Sequence, residues 1–399
     1  MAQPPNKHNR VSDSEYYVRL GIFVVFNLWI AMGVVFCGLP AMPLRLVSAQ
    51  LGDSKTGVFV HSFYRAWIRP IQAAYVSALL VLTALSMNGS ALVVSGDWDQ
   101  IAPSAKQIAV SNHQIYPDWF FLFIFARFRN CHADIKVILI NILSRLPLFG
   151  QGMWLFEFLF MKQRFDKDRQ NMARNLTTAK NDPHPLWLLI FPEGTLNTPG
   201  NIDKSRAYAK KMNINSHPNH CILPKSTGLF FCLETLTPVS TPFLFDLTVG
   251  YSGLNGVEIP YDRYLIDRVF FAKDFPREIH IHVKRYQTRN LPGFTDAEER
   301  QQQSSGSDEK EIERKTRFDE WLRGIWFEKD ERMARFYKTG SMLQRDKEKE
   351  LTSRVVRIPL VPSTLDWVSV IVLFALGLFL PVVYWNILKL AFAALLTFI

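Results

Sequence analysis

The sequence predicts an α/β domain that lies between two membrane-associated ends of the chain. Residues 20–44 carry no charged side chain, and residues 367–399 carry only Lys389. Between them, residues 90–290 alternate short apolar segments with stretches of helical periodicity, which is the pattern of a strand–helix domain. The net charge of +10 accompanies a mean hydropathy of +0.02, an unusual pair of values for a soluble protein. Both ends are therefore expected in a membrane.

The N-terminal part is predicted to contain a polar terminus and two apolar helices. Residues 1–14 are polar and are expected to be disordered. Residues 15–48 are expected to form a transmembrane helix, because their 25 uncharged positions can cross a bilayer core. A cleaved signal peptide is the alternative, although signal peptides use shorter apolar runs. Residues 70–88 are expected to form a membrane-associated helix, with a helix of the protein core as the alternative.

The α/β domain is expected over residues 90–290. Residues 186–191 are apolar at every position, as in a strand that is buried on both faces of a sheet. A helix is expected near 117–129, after the second strand. The predicted strands lie near 90–97, 106–111, 135–140, 186–191, 221–224 and 243–248.

The C-terminal part is predicted to leave this domain and to end in the membrane. Residues 291–312 are polar and poor in aromatic side chains, so a disordered insertion is expected there. Residues 313–360 are expected to hold an amphipathic helix and a connector, the helix packing on the domain or lying on the membrane. Residues 364–399 are expected to form C-terminal membrane helices. A helical hairpin interrupted at Pro381 is preferred over a kinked single helix, because the apolar tail is long for one span.

A histidine and an aspartate five positions apart are the first candidates for chemistry. In residues 111–119, SNHQIYPDW, Pro117 is expected in the first turn of a helix, because deeper inside it would remove a backbone hydrogen bond. His113 then lies in the preceding loop and Asp118 at the start of the helix. The imidazole can act as a general base whose other nitrogen is held by the carboxylate. A helix cap beside a structural histidine is the alternative interpretation.

A second motif, residues 191–195 with the sequence FPEGT, follows the apolar strand predicted at 186–191. Gly194 allows backbone N–H groups to come close to a ligand, and Thr195 adds a hydroxyl donor. This segment is therefore a candidate binding turn. An ordinary turn is the alternative.

The two motifs, in this order and at this separation, resemble the signature blocks of the glycerolipid acyltransferases. These membrane enzymes move a fatty acyl chain from acyl-CoA to a glycerol hydroxyl. Within that superfamily, residues 112–119 are similar to the eukaryotic lysophospholipid acyltransferases, which include the lysocardiolipin and lysophosphatidylinositol enzymes and fungal relatives. The resemblance runs from residue 15 to the C-terminus. It implies a mixed sheet flanked by helices, with His113 as the general base and Asp118 as its partner.

The resemblance also implies which residues bind the lipid. Glu193, Gly194 and Thr195 become a glycerolipid-binding block, in which the acidic side chain is expected to bind lipid hydroxyls or a basic neighbour. A further block, residues 223–228, resembles the family's proline-containing strand end. Pro224 is expected to be structural there, and Lys225 is a candidate phosphate contact.

One position departs from the family's pattern. The arginine that the family presents after an aromatic run falls on Gln163, with Lys162 and Arg164 on either side. A phosphomonoester carries more charge than a phosphodiester, and a bidentate arginine is its natural partner. A neutral glutamine therefore favours a phosphodiester acceptor, with lysophosphatidylinositol as the first choice. A solvated charge cluster is the alternative interpretation of this segment.

The predicted function is acyl-CoA-dependent acylation of a lysophospholipid, in phospholipid synthesis or remodelling. Acyl-CoA is a co-substrate, and no cofactor, metal or nucleic acid is expected. The alternatives are a 1-acylglycerol-3-phosphate acyltransferase and a catalytically silent membrane scaffold. A thioesterase or lipase is disfavoured, because the sequence contains no G-x-S-x-G motif. An anionic membrane and the substrate phosphates account for the basic charge, since no nucleic-acid-binding motif is found.

The expected location is the endoplasmic reticulum membrane, with the catalytic domain facing the cytosol. Acyl-CoA is made in the cytosol and carries too much charge to cross a bilayer. The four cysteines form no CxxC pair, which is typical of a reducing compartment. A mitochondrial membrane is the alternative.

Overall fold

The computed structural model describes residues 11–162, 165–214, 216–236, 241–295, 308–343 and 355–396. Its centre is a mixed eight-stranded sheet. The strands are β1 Ala91–Gly96, β2 Lys106–Ser111, β3 Ile135–Ile140, β4 Leu159–Met161, β5 Leu186–Ile190, β6 Phe243–Tyr251, β7 Glu278–Gln287 and β8 Val356–Pro359. They lie in the order β4-β3-β5-β2-β6-β7-β1-β8. The first five strands of this order are parallel, whereas β6 with β7 and β1 with β8 are antiparallel.

Helices cover both faces of this sheet, so the predicted fold class is confirmed. They are α1 Asp13–Gly38, α2 Met42–Leu51, α3 Lys55–Ser86, α4 Asp118–Phe128, α5 Phe149–Leu155, α6 Phe165–Asn181, α7 Pro199–Lys211, α8 Ser226–Leu236, α9 Pro260–Arg263, α10 Ile266–Phe270, α11 Asp308–Thr339 and α12 Thr364–Leu396. Ala109 of β2 packs into the core shared with α1, α3 and α4. Its neighbours Ile108 and Val110 pack on the other face, with α6, α8 and α11. This alternation explains why β5 is apolar along its length and why the centre of β2, residues 108–110, is apolar at three successive positions.

The predicted strand at 221–224 is wrong. In the structure this segment is an irregular loop, whose backbone donors bond to side chains instead of a neighbouring strand. The N–H of His220 donates to Asp330 Oδ1 at 2.5 Å, and the N–H of Leu223 donates to Ser205 Oγ at 3.2 Å. Pro224 has no N–H to add to a sheet. Sequence analysis also did not identify β4, β7 and β8.

The N-terminal apolar segment is divided into two helices and is not one helix over 15–48. α1 ends at Gly38, and a 3-10 turn, Leu39–Ala41, leads into α2. Pro40 and Pro43 lie in the first turns of these two short elements, where a missing N–H costs no helical bond. Three segments of the described chain are long and apolar enough to cross a membrane, namely Asp13–Leu51, Lys55–Ser86 and Thr364–Ala393.

The helix that was expected at 70–88 begins earlier, at Lys55, and continues through Pro70. Contacts on both sides of the proline hold this helix, α3, on the α/β domain. Before it, Arg65 Nη2 lies 3.3 Å from Asp134 Oδ1, and Arg69 Nε lies 2.8 Å from the same oxygen. After it, Gln72 Nε2 donates to the carbonyl of Ile135 at 2.6 Å. Tertiary contacts therefore outweigh the hydrogen bond that proline removes.

Three side chains of α3, those of His61, Arg65 and Arg69, recur at four-residue spacing, so they share one helix face. His61 Nε2 lies 2.8 Å from Glu157 Oε1, and Arg65 Nε lies 3.6 Å from Asp182 Oδ2. Except for the partly exposed Arg69, the charged groups of this face and its partners are buried. We refer to this set as the α3 ionic cluster: His61, Arg65, Arg69, Asp134, Lys136, Glu157 and Asp182.

The C-terminal tail is one helix, α12, and the expected hairpin is wrong. The helix passes through Pro381 without reversing, because α1 packs against it on both sides of that position. The indole N–H of Trp29 donates to Phe374 O at 3.2 Å, and the hydroxyl of Tyr384 donates to Phe36 O at 2.9 Å. The two helices therefore run parallel. Gly33 and Gly377 allow their backbones to approach closely, since a Cβ on Gly377 would lie 3.1 Å from Gly33 Cα.

α11 begins at Asp308, so residues 308–312 are helical rather than part of a disordered insertion. Ion pairs at four-residue spacing, such as Lys315 with Glu311 and Arg317 with Glu313, support this exposed first part of the helix. The first residues of the predicted insertion, 291–295, are also ordered, with Leu291 and Phe294 buried, and residues 296–307 lie outside the described residues. Further along, Phe318 and Trp326 are fully buried. Of the two expected placements of the amphipathic helix, on the domain or on the membrane, these side chains pack on the domain.

Candidate active site

The site lies where two adjacent parallel strands end. β2 ends at Ser111, β5 ends at Ile190, and their register pairs Val110 with Ile190. Because the strands are parallel, the segments that follow them, 112–118 and 191–195, leave the sheet side by side at one edge. In open α/β sheets, this carboxyl edge is where ligands bind.

The structure brings His113 and Asp118 together. His113 Nδ1 lies 2.8 Å from Asp118 Oδ2, and Asp118 is the first residue of α4, directly after Pro117. The aspartate is fully buried, whereas 19% of the His113 side chain is exposed. Because Nδ1 faces the carboxylate, Nε2 is the nitrogen available to a substrate.

Several donors fix the orientation of the Asp118 carboxylate. Its Oδ2 accepts the backbone N–H groups of Gln114 at 2.5 Å and Ile115 at 2.9 Å. Its Oδ1 accepts the hydroxyl of Tyr251, the last residue of β6. A carboxylate that is held on both oxygens can in turn hold the imidazole in one orientation. Neither Tyr251 nor its contact could be anticipated from a local motif.

The two sequence motifs also meet through the His113 ring. The imidazole stacks on Phe191, with 4.3 Å between ring centroids and 26° between ring planes. The carbonyl of His113 accepts the N–H of Asn197 at 2.9 Å, which ties the histidine loop to the segment after the second motif. Asn112 Nδ2 donates to the carbonyl of Val249 at 2.9 Å, and Asn112 Oδ1 accepts the N–H of Val249 at 2.8 Å. The imidazole is thus held from both neighbouring strands, β5 and β6.

The side chain of Glu193, for which lipid hydroxyls or a basic neighbour were the expected partners, points into the protein. Its side chain is fully buried. One oxygen, Oε1, accepts the indole N–H of Trp326 at 3.0 Å, and the other, Oε2, accepts the backbone N–H of His113 at 3.3 Å. Burial raises the pKa of Glu193 to about 8, against the opposing effect of these two donors and of the Lys329 charge. The direct partners of Glu193 are therefore protein groups around the histidine.

The remaining residues of the binding turn face Lys225. Gly194 has a φ of +68°, in the region that favours glycine, and a Cβ there would lie 3.5 Å from Lys225 Nζ. The N–H of Lys225 donates to Pro192 O at 2.8 Å, and its side chain is exposed. Thr195 Oγ1 accepts the amide of Asn201 at 2.7 Å. Lys225 therefore lies beside the turn with its side chain exposed. Its neighbour Pro224 is buried.

Lys162 lies at the same edge of the sheet but farther from the histidine. It follows β4, which is three strands from β2, or about 14 Å at the usual strand spacing. A cavity of about 470 Å³ opens beside it, with Asn141, Gln151 and Asn171 in its lining. Gln163 and Arg164 lie outside the described residues.

Sequence analysis missed the charged pair behind the site. Lys329 Nζ lies 2.6 Å from Asp246 Oδ1, and both side chains are buried. Lys329 belongs to α11, one turn after Trp326. The only signal available was the apolar periodicity that includes Trp326. That pattern predicts burial but gives no partner for a buried cation.

No group of three or more His, Cys, Asp or Glu side chains is placed to hold a metal ion among the residues that the structure describes. The four cysteines are buried free thiols. The chemistry available at this edge is therefore that of a buried carboxylate, an accessible imidazole nitrogen and a nearby lysine.

Residues 94–243 match the acyltransferase family. The chain is 29% identical over 272 residues to an uncharacterised acyltransferase of Schizosaccharomyces pombe, an alignment that covers 68% of this chain and 69% of that protein. It is 29% identical to a 2-acyl-1-lysophosphatidylinositol acyltransferase of Saccharomyces cerevisiae, covering 60% of this chain and 63% of that one. Lysocardiolipin acyltransferase 1 of Gallus gallus is 28% identical, with 80% and 74% covered.

Proposed function

We propose that this chain, whose residues 94–243 match the acyltransferase family, transfers a fatty acyl chain from acyl-CoA to a glycerol hydroxyl of a lysophospholipid, with His113 as the general base. The observation that carries the mechanism is the 2.8 Å contact between His113 Nδ1 and the buried Asp118, beside the 191–195 turn. A scaffold without activity would not need this oriented, accessible imidazole.

In the proposed reaction, His113 Nε2 accepts the proton of the glycerol hydroxyl while the oxygen bonds to the thioester carbonyl carbon. The carbon–sulfur bond then breaks, and the imidazolium returns the proton to the departing coenzyme A thiolate. Asp118 keeps Nδ1 engaged and stabilises the positive charge that His113 carries between these steps. The exposed Lys225 is a candidate contact for a phosphate of either substrate.

Lysophosphatidylinositol is the acceptor that we favour. The relative from Saccharomyces cerevisiae is named for that lipid, and Gln163 replaces the family's arginine. The cavity beside Lys162 adds the amides of Asn141, Gln151 and Asn171, which can exchange hydrogen bonds with the hydroxyls of a polar head group. A 1-acylglycerol-3-phosphate acceptor is the second candidate. Its phosphomonoester would be bound better by an arginine than by a glutamine at position 163.

Purified protein incubated with labelled acyl-CoA and a panel of lysophospholipids tests this proposal. We expect transfer to lysophosphatidylinositol to exceed transfer to lysophosphatidic acid, and Gln163→Arg to shift that ratio toward lysophosphatidic acid. The matched control is Arg357→Gln on β8, an exposed charge at the opposite end of the sheet from β4. If the wild type prefers lysophosphatidic acid and Gln163→Arg changes nothing, the head-group assignment is wrong. If no acceptor is acylated, the activity itself is wrong.

We further propose that the protein resides in the endoplasmic reticulum membrane with the α/β domain on the cytosolic side, where acyl-CoA is made. The sequons at Asn88 and Asn175 then face away from the glycosylation machinery of the lumen. We expect neither asparagine to carry a glycan in the native protein. Endoglycosidase treatment followed by a mobility assay measures this, and a mobility shift that is lost in Asn88→Gln or Asn175→Gln would reverse the proposed orientation.

A further inference from the structure

The helix α11 lies outside the segment that matches the acyltransferase family, yet it reaches the centre of the site. Its contact is made by Trp326, whose side chain is fully buried and whose indole N–H donates to Glu193 Oε1 at 3.0 Å. The other oxygen of the same carboxyl accepts the backbone N–H of His113 at 3.3 Å. One carboxyl group therefore connects α11 to the main chain of the histidine.

We propose that Trp326 is a positioning residue for acyl transfer, whose indole N–H holds the Glu193 carboxylate against the backbone N–H of His113 and thereby fixes the imidazole. This inference rests on the proposed function of His113 as the base. Trp326 touches no substrate in this scheme and acts only through Glu193. The site is then completed by a helix that lies more than a hundred residues after the second motif in the sequence.

The charges around Glu193 explain why its hydrogen bonds matter. Lys329 on α11 favours the ionised carboxylate, whereas Asp118 at the start of α4 and the burial of the group disfavour it. Burial, and after it the negative charge of Glu193, raises the pKa of the Cys221 thiol in the loop before α8. The balance leaves the pKa of Glu193 at about 8. A single N–H donor to the charged form can therefore decide the protonation state.

An ionised Glu193 supports catalysis in two ways. As a carboxylate it is a stronger acceptor for the N–H of His113, so the loop holds its position. Its negative charge also lies next to the residue that becomes positive when the base takes the substrate's proton. Acyl transfer is therefore expected to rise with pH as Glu193 ionises. Removing the Trp326 donor raises the pKa of Glu193 further and moves that rise to higher pH.

The test is the pH dependence of acyl transfer by the full-length protein carrying Trp326→Phe, which removes the N–H and keeps a ring. In Trp326→Phe, we expect the acidic limb of the pH–rate profile to move to higher pH by about one unit. At pH 7 its kcat should be about tenfold lower than that of the wild type, with little change in KM. Near pH 9.5 the variant should recover the wild-type rate, because Glu193 is then ionised in both proteins. A packing defect would lower the rate at every pH.

The matched control is Trp321→Phe, a tryptophan of the same helix whose ring packs on Tyr286, with 5.4 Å between centroids, and not on the carboxyl. It should keep the wild-type pH profile. Glu193→Gln, which cannot ionise, should be slow throughout, and adding Trp326→Phe to it should change nothing more. Thermal denaturation of each variant checks folding. If the wild type is active and Trp326→Phe follows its profile at every pH, the inference is overturned; an inactive wild type would instead overturn the proposed function.

Discussion

Replacing His113 with alanine is expected to lower acyl transfer by about a hundredfold or more. The substitution removes the proposed base, while the Asp118 carboxylate keeps its donors from Gln114, Ile115 and Tyr251. The rate of transfer from labelled acyl-CoA, at saturating acceptor, measures the effect. Asp118→Asn is also expected to be severe, because an amide cannot stabilise the imidazolium.

The control for this experiment is a nearby aromatic position outside the pair. Tyr116→Phe changes an exposed residue of the same loop and keeps its ring, so it should retain turnover close to that of the wild type. Membrane fractionation and thermal denaturation establish that each variant is folded. Turnover of the His113→Ala protein at the wild-type rate would mean that another group is the base.

Replacing Arg65 with methionine is expected to destabilise the protein by about 3–5 kcal/mol, because it removes a fully buried cation from between buried carboxylates. Arg65 is fully buried, within 3.3 Å of Asp134 and 3.6 Å of Asp182, in the α3 ionic cluster. Its loss should therefore loosen α3 from the α/β domain. Unfolding of the detergent-purified protein by heat or denaturant measures the change in stability.

Arg69→Met provides the comparison within the same cluster. Arg69 pairs with the same Asp134 but is about one-third exposed, so water compensates for its loss and the expected cost is at most about 1 kcal/mol. Equal effects of the two substitutions would contradict the view that buried charges hold α3 on the domain. Limited proteolysis near residue 52, between α2 and α3, would show directly whether the helix has come loose.

Much of the architecture could be read from local patterns. The apolar strand β5 was predicted because a parallel strand covered on both faces must be apolar along its whole length. The helix start at Asp118 was predictable from Pro117, and the placement of His113 and Asp118 followed from it. These features depend on residues that are close together in the chain.

The continuous helices α3 and α12 were not predictable in the same way. Each contains a proline, and local rules place a break there. In the structure both helices continue, because α3 is held by Arg65 and Gln72 on either side of Pro70, and α12 by α1 on either side of Pro381. A helix interior can accommodate the loss of one hydrogen bond where packing supplies more, and packing partners are not visible in a local pattern.

Within the site, too, some features depend on local sequence and others on tertiary packing. The sequence by itself determined that His113 and Asp118 form a pair and that a turn with glycine at position 194 follows a buried strand, since both depend on spacing of a few residues. Only the tertiary structure decided what surrounds them: Glu193 turns inward to Trp326, Tyr251 closes on Asp118, and Lys329 neutralises Asp246. The charge state of a buried carboxyl depends on the distances to its neighbours in space, and those distances exist only once the sheet and α11 have come together.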